Sequence, residues 1–232
     1  MLDLNDMSRS QIMRAKMRLT CSAANEAFAD FWSRKDLPAV VPAFLVLLHQ
    51  IMRSAVPLLQ TARDRCAALA EEDELAAKLH RYYAKHALEE RDHDVWALND
   101  MEAAGFRRED VLAQVPMADL ASMMGAQYYW IHHHHPVMFM GCLAMLEGSP
   151  PSVTLIERLE NESGLPKEAF RTYRYHGDVD PHHLEDLDRA IDELPLTRDH
   201  MALISLSATH TSNMMASCIR RLGPDDAPAR QG

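Results

Sequence analysis

"HGDVDPHH", residues 176–183, sets three imidazoles and two carboxylates into eight consecutive positions, and the way this stretch folds decides what the rest of the chain must build. Each residue of an α-helix turns the chain by about 100°, so positions i, i+4 and i+7 share one narrow stripe. His176, Asp180 and His183 have this spacing. The pattern occurs once more in "HALEERDH", residues 86–93, as His86, Glu90 and His93. Two helices that each carry a His-carboxylate-His stripe are hard to explain as solvated surface. Against a regular helix at 176–183 stand Gly177 and Pro181, both disfavoured in a helix interior. A helix that began with Asp180 as N-cap and Pro181 in its first turn would move His176 off the stripe. The sequence leaves both geometries open.

The surrounding chain favours helices. Its 232 residues are 47% apolar and 25% charged, which suits one globular domain. Only 8 glycines are present, and Val and Ile are sparse beside Ala, Leu and Met, which favours helices over strands. Apolar residues recur at helical spacing over residues 8–35, 39–69, 72–104 and 117–146, with a bend expected at Pro136 and a left-handed cap at Gly105. Shorter helices are expected over 153–161 and 166–175, followed by helices to Leu194 and from Arg198 to Leu222. The reading is an all-α bundle of about seven or eight helices in a single domain over 1–222, with a disordered tail over 223–232. The 15 methionines read as core filler.

A formal charge of -10 without a Lys/Arg block gives no electrostatic footprint for nucleic acid or for an anionic membrane surface. The N-terminus lacks the basic start and apolar run of a signal peptide, and no segment reads as apolar for the length a bilayer needs. These features place the protein in the cytoplasm with a small soluble ligand as partner. Cys21, Cys66, Cys142 and Cys218 are scattered, which suggests neither a zinc knuckle nor a disulfide framework.

Imidazole and carboxylate together suit iron, manganese or zinc, and the lack of paired Cys favours a catalytic over a structural site. On a straight helix His176 and His183 would lie about 10 Å apart, too far for one ion. Two ions bridged by carboxylates fit better. A further carboxylate is needed, and Glu147 is the only acid in the apolar run from Leu120 to Leu146 and its immediate continuation. A charge there is costly to bury unless a metal or partner compensates it. With two ferrous ions and the carboxylates Glu90, Glu147 and Asp180, the centre keeps one positive charge and favours an anionic ligand.

Glu90-x-x-His93, then Glu147 in "LEG", then His176-x-x-x-Asp180-x-x-His183 resembles the ligand set of the heme-oxygenase-like diiron oxidases and oxygenases, also described as iron-containing redox enzymes. The resemblance runs from the third helix into the last third of the chain. It implies the heme-oxygenase-like bundle of about seven helices, with Glu90, His93, Glu147, His176, Asp180 and His183 as metal ligands. It implies two Fe(II) ions as cofactor and O2 as co-substrate. It further implies oxidation of a small carboxylate-bearing substrate such as an amino acid or fatty acid, by N-oxygenation, carbon-carbon cleavage or decarboxylation, with an external electron donor as an option. Such small helical enzymes are commonly homodimers.

His86 shares the first stripe but has no counterpart among the family's ligands, and a place behind them is favoured. The run of His132, His133, His134 and His135 points in all directions on a helix and reads mainly as surface and core, with a substrate-pocket role for one of them as the alternative. Glu89, Asp92, Asp94, Asp178 and His182 fall off the stripes and read as solvated. Tyr128, Tyr129 and Trp130 read as core, with a pocket lining as the alternative, and Arg91, Arg171 and Arg174 as surface ion pairs, with a substrate carboxylate as the alternative partner. A ferritin-like di-metal protein would share Glu-x-x-His but not the extra His176. A non-redox di-metal hydrolase would use similar residues, whereas a non-catalytic metal-binding helical module leaves the doubled stripes unexplained.

Overall fold

The computed structural model describes residues 7–230. Among them there is no strand, and eleven α-helices form the fold: α1 (Arg9–Thr20), α2 (Ser22–Trp32), α3 (Leu37–Leu69), α4 (Glu74–Glu89), α5 (His93–Ala103), α6 (Arg108–Ala113), α7 (Ala118–His133), α8 (Phe139–Leu146), α9 (Val153–Glu162), α10 (Arg171–Glu193) and α11 (Arg198–Arg221). The all-α bundle stands, but the helices are divided differently from the expectation: three long stretches break, α6 forms in the connection after 72–104 that was expected as a loop, and the expected helix over 166–175 is continuous with the next one as α10. Cys21 divides the first. The stretch at 72–104 divides at residues 90–92. The stretch at 117–146 stops at His134, since Pro136 lacks the N–H to continue the helix and disfavours helical backbone before it.

Residues 176–183 are helical throughout. α10 runs from Arg171 to Glu193 with both Gly177 and Pro181 inside it. Gly177 has a packing reason: a Cβ there would lie 2.8 Å from the carbonyl oxygen of Pro151, so the loop before α9 rests on the helix only because no side chain intervenes. His176, Asp180 and His183 therefore do share a stripe.

α3 packs along α4, and α11 along α8 and α2. The core between them includes Phe44, Leu47, Leu58, Leu59, Leu79, Phe139 and Ile204. Buried Tyr83 on α4 donates from its hydroxyl to the Pro136 carbonyl at 2.8 Å, tying α4 to the break after α7. By length and composition alone α3 is apolar enough to cross a bilayer, contrary to the expectation that no segment is. Here its apolar residues pack against the other helices of the bundle. Residues 223–230, within the stretch expected as a tail, include a 3-10 turn at Pro224–Asp226. Arg230 then donates from Nε to the Ala104 carbonyl at 2.9 Å, which anchors this stretch. Residues 231–232 of that expected tail lie outside the described residues.

Asp73 fixes the start of α4. Its carboxylate accepts from the backbone N–H groups of Leu75 and Ala76 and pairs with His135 Nε2 at 2.9 Å. Asp73→Ala is expected to cost about 1–2 kcal/mol, the upper part of the range for a lost N-cap, because the cap and the tie to His135 go together. Urea unfolding of the two proteins measures it.

Candidate metal centre

Three helix ends and one helix face converge on a buried site. Glu90 is the C-cap residue of α4, His93 the first residue of α5, and Glu147 the C-cap residue of α8. α10 contributes His176, Asp180 and His183. Helix C-termini carry partial negative charge, so two of them ending in carboxylates make a site that calls for cations.

The first stripe is not the straight one that spacing suggested. Between α4 and α5 the chain turns through Asp92, the one non-glycine residue with positive φ among those described, at 69°. This turn re-aims His93 so that its Nδ1 lies 3.0 Å from Glu90 Oε2. Left-handed backbone costs a side chain about 1–2 kcal/mol. Asp92→Val is accordingly expected to lower stability by about that amount, whereas Asp92→Gly leaves it unchanged or raises it. Thermal unfolding of both variants checks the sign.

Glu90 is the hub. Ligating atoms of His86, Glu90 and His183 lie within 4.8 Å of one another, and so do those of Glu90, His93 and His176. His183 Nδ1 stands 3.4 Å from Glu90 Oε1 and 3.8 Å from Asp180 Oδ1. Glu147 reaches this group through His86, whose Nε2 lies 2.9 Å from Glu147 Oε1. Glu90, His93, Glu147, Asp180 and His183 are buried, and His176 is half-buried.

The electrostatics are those of a site short of positive charge. Burial pushes the Asp180 carboxyl up to about 8, assisted by the negative charges of Glu147 and Glu90. Burial works the same way on Glu90, but the hydrogen bond with His93 and the nearby imidazoles hold its carboxyl below the usual range. Burial would lower His86, yet the charge and hydrogen bond of Glu147 raise it to about 10. His176 is lowered by burial, and its Nδ1 lies 2.9 Å from the Thr172 carbonyl, leaving Nε2 as its free ring nitrogen.

Four buried polar atoms here have no hydrogen-bond partner: His93 Nε2, Glu147 Oε2, Asp180 Oδ1 and His183 Nδ1. Buried polar atoms are almost always paired. Four lone-pair donors left open around one carboxylate fit metal ions, which accept from imidazole and carboxylate alike.

His132, His133 and His134 are exposed, while His135 accepts from the Val137 N–H and pairs with Asp73. Arg174 pairs with Glu160 at 2.5 Å and Arg171 with Glu168 at 3.6 Å. Tyr129 is exposed, Tyr128 packs against the core, and Trp130 lies against His210. Asp178 and His182 are exposed, but Glu89, expected as solvated, is half-buried beside Lys85 and His86. The four cysteines are buried, and burial pushes the thiols of Cys66, Cys142 and Cys218 up to about 12, where they are poor nucleophiles.

Sequence reasoning missed the aromatic surroundings. Tyr82 stacks on the His86 ring at 5.8 Å, and Trp96 and Tyr175 lie against His93. Their signal was present: Trp96 follows His93 by one helical turn, and Tyr175 adjoins His176. It also missed a cavity of about 170 Å³ that opens onto Glu90, Glu147, His176 and Asp180 and is walled by Phe28, Phe44, Leu47, Ile51, Met52 and Leu146. Leu146 adjoins Glu147 in sequence, but the rest of the wall comes from α2 and α3, far from the motifs.

The bundle has known counterparts. A domain of unknown function with a heme oxygenase-like fold from Shewanella denitrificans OS217 superimposes with a TM-score of 0.72 at 16% identity, covering 92% of this chain and 88% of that one. A TenA homolog from Pseudomonas syringae pv. tomato str. DC3000 gives a TM-score of 0.66 at 13% identity, covering 90% of this chain and 92% of that one. At these identities the likeness establishes the fold, which is heme oxygenase-like. No curated protein sequence matches the chain. The sequence model of the iron-containing redox enzymes matches residues 43–215, a span that holds Glu90, His93, Glu147 and the whole of the α10 stripe, and the chain belongs to that family.

Proposed function

We propose that the protein is a non-heme diiron oxidase or oxygenase that uses O2 to oxidise a small carboxylate-bearing substrate with an apolar body. The observation that carries this reading is the pair of three-residue clusters sharing Glu90, with unpartnered nitrogen and oxygen atoms beside an apolar cavity. His93 and His176 would serve one iron and His183 the other. Glu90, common to both clusters, would be shared by the two, and Glu147 and Asp180 would supply further oxygens. Two ferrous ions, when bound, supply the electrons with which O2 is activated.

The chain's own residues set the conditions for that chemistry. His86 holds Glu147 by one oxygen and leaves the other free for a ligand, the usual role of a group behind a metal site. The apolar wall of Phe28, Phe44, Leu47 and Ile51 excludes water from the face of the site where substrate would lie. Among the described residues no Lys or Arg lines this cavity. A substrate carboxylate would therefore find its positive charge at the metal centre, and the remainder of the molecule would lie against hydrocarbon. This favours a fatty acid or an amino acid with an apolar side chain over a polar one.

Anaerobic titration of the apo-protein with Fe(II), followed by admission of O2, tests the reading. Two tight equivalents per chain and O2 consumption stimulated by fatty acids or apolar amino acids are expected. One equivalent or none overturns it. Two equivalents of zinc bound in preference, with no O2 consumed by the iron form, would point to a di-metal hydrolase instead.

A further inference from the structure

An aromatic pair joins the Glu90–His93–His176 cluster to the protein surface. The Trp96 ring lies 4.7 Å from that of His93, centroid to centroid, and the Tyr175 ring lies 5.3 Å from it. Trp96 and Tyr175 meet each other edge to face at 5.3 Å, and Tyr175 is 6.0 Å from His176. The two rings are 39% and 40% exposed, so each touches a candidate ligand on one side and water on the other. Leaving two large aromatic rings partly in water forgoes part of their burial energy. Trp32 and Trp130, the other two tryptophans, lie instead against Phe28, Phe31 and Phe44 and against His210.

We infer that Trp96 and Tyr175 form an outlet for oxidising equivalents, draining the centre when it is oxidised with no substrate in the cavity. Indole and phenol are among the side chains most readily oxidised by one electron, and neither is readily reduced, so the pair conducts in this direction. In the step, one electron passes from the Trp96 indole to the oxidised centre, which is thereby reduced by one electron. Trp96 is refilled by Tyr175, whose phenolic proton leaves to water at the exposed edge of the ring. A solvent reductant of the thiol or ascorbate class then returns one electron and one proton to Tyr175. The ligands His93 and His176 are spared, because the hole reaches solvent before it attacks an imidazole.

The inference rests on the iron and O2 reading above, and one experiment separates the two. Iron-loaded protein is exposed to O2 without substrate. Bound iron and O2 consumed are measured on the same sample, and oxidised residues are mapped by peptide mass spectrometry. Oxygen adducts at Trp96 and Tyr175 are expected to exceed those at Trp32 and Trp130 by tenfold or more, and ascorbate is expected to suppress them. Zinc-loaded protein serves as the redox-silent control. In the double variant Trp96→Phe, Tyr175→Phe, iron stoichiometry should be unchanged while oxidation moves to His93 and His176. Apo-protein gives an independent readout: Fe(II) should quench most of the tryptophan emission that Trp96→Phe removes and little of the rest. Iron bound and O2 consumed, with adducts spread evenly over the tryptophans or unaltered ligand oxidation in the double variant, overturns the outlet alone. A double variant that loses iron shows that the rings only pack the site, which also overturns it. No iron or no O2 consumption removes both readings together.

Discussion

Glu90→Ala is expected to abolish tight iron binding at both positions at once. Glu90 is the one residue common to the two clusters, its Oε2 facing His93 and its Oε1 facing His183. Groups one step behind a ligand typically contribute about 10–100-fold in metal affinity, and a shared carboxylate should exceed that for each ion. His176→Ala removes a nitrogen from only one cluster, so it should leave about one equivalent where Glu90→Ala leaves none. The difference is measured by the same anaerobic Fe(II) titration, with circular dichroism to establish that both variants fold. Loss of only one equivalent in Glu90→Ala would mean that the clusters do not share this carboxylate in the bound state.

The largest effect on stability is expected at Gly141. A Cβ on this residue of α8 would stand 2.1 Å from the Ile204 carbonyl oxygen and 2.8 Å from the Ala208 nitrogen, both backbone atoms of α11. Neither can rotate away, so the two helices must separate. Overpacking commonly costs about 1–3 kcal/mol, and a clash of main chain against main chain belongs at or above the top of that range. Against a typical total of about 5–15 kcal/mol this endangers the fold. Gly141→Ala is expected to lower the unfolding free energy by about 3 kcal/mol or more. It should weaken iron binding as well, because Glu147 ends the same helix. Gly125, an exposed residue of α7 with open space around its would-be Cβ, provides the contrast. There the same change to Ala should stabilise by about 0.5–1 kcal/mol, the ordinary gain of Ala over Gly in a helix interior. Opposite signs for one chemical substitution would show that packing, and not helix propensity, governs position 141.

Much of the candidate centre was legible before any fold was known. Histidine and carboxylate at i, i+4 and i+7 need only a helix to stand on one face, and the α10 stripe does so despite Gly177 and Pro181. The isolation of Glu147 at the end of an apolar run was likewise a local signal, since an acid in that setting needs a counter-charge. Composition sufficed for the helical class, because few glycines and few β-branched residues leave little material for strands.

Periodicity could not reveal the turn at Asp92, since left-handed backbone at an aspartate carries no periodic signature. His93 therefore reaches Glu90 across a break between two helices and not along one. The same limit holds for every relation between distant segments. Neither the loop seated on Gly177 nor the approach of α8 to α11 at Gly141 is written near those glycines. The cavity wall from α2 and α3 and the aromatic pair beside His93 also depend on how the helices cross. The sequence by itself determined which side chains can share a helix face, because spacing along one helix fixes direction about its axis. Only the tertiary structure decided which faces meet, because helix-to-helix packing is set by the shapes of side chains far apart in the chain.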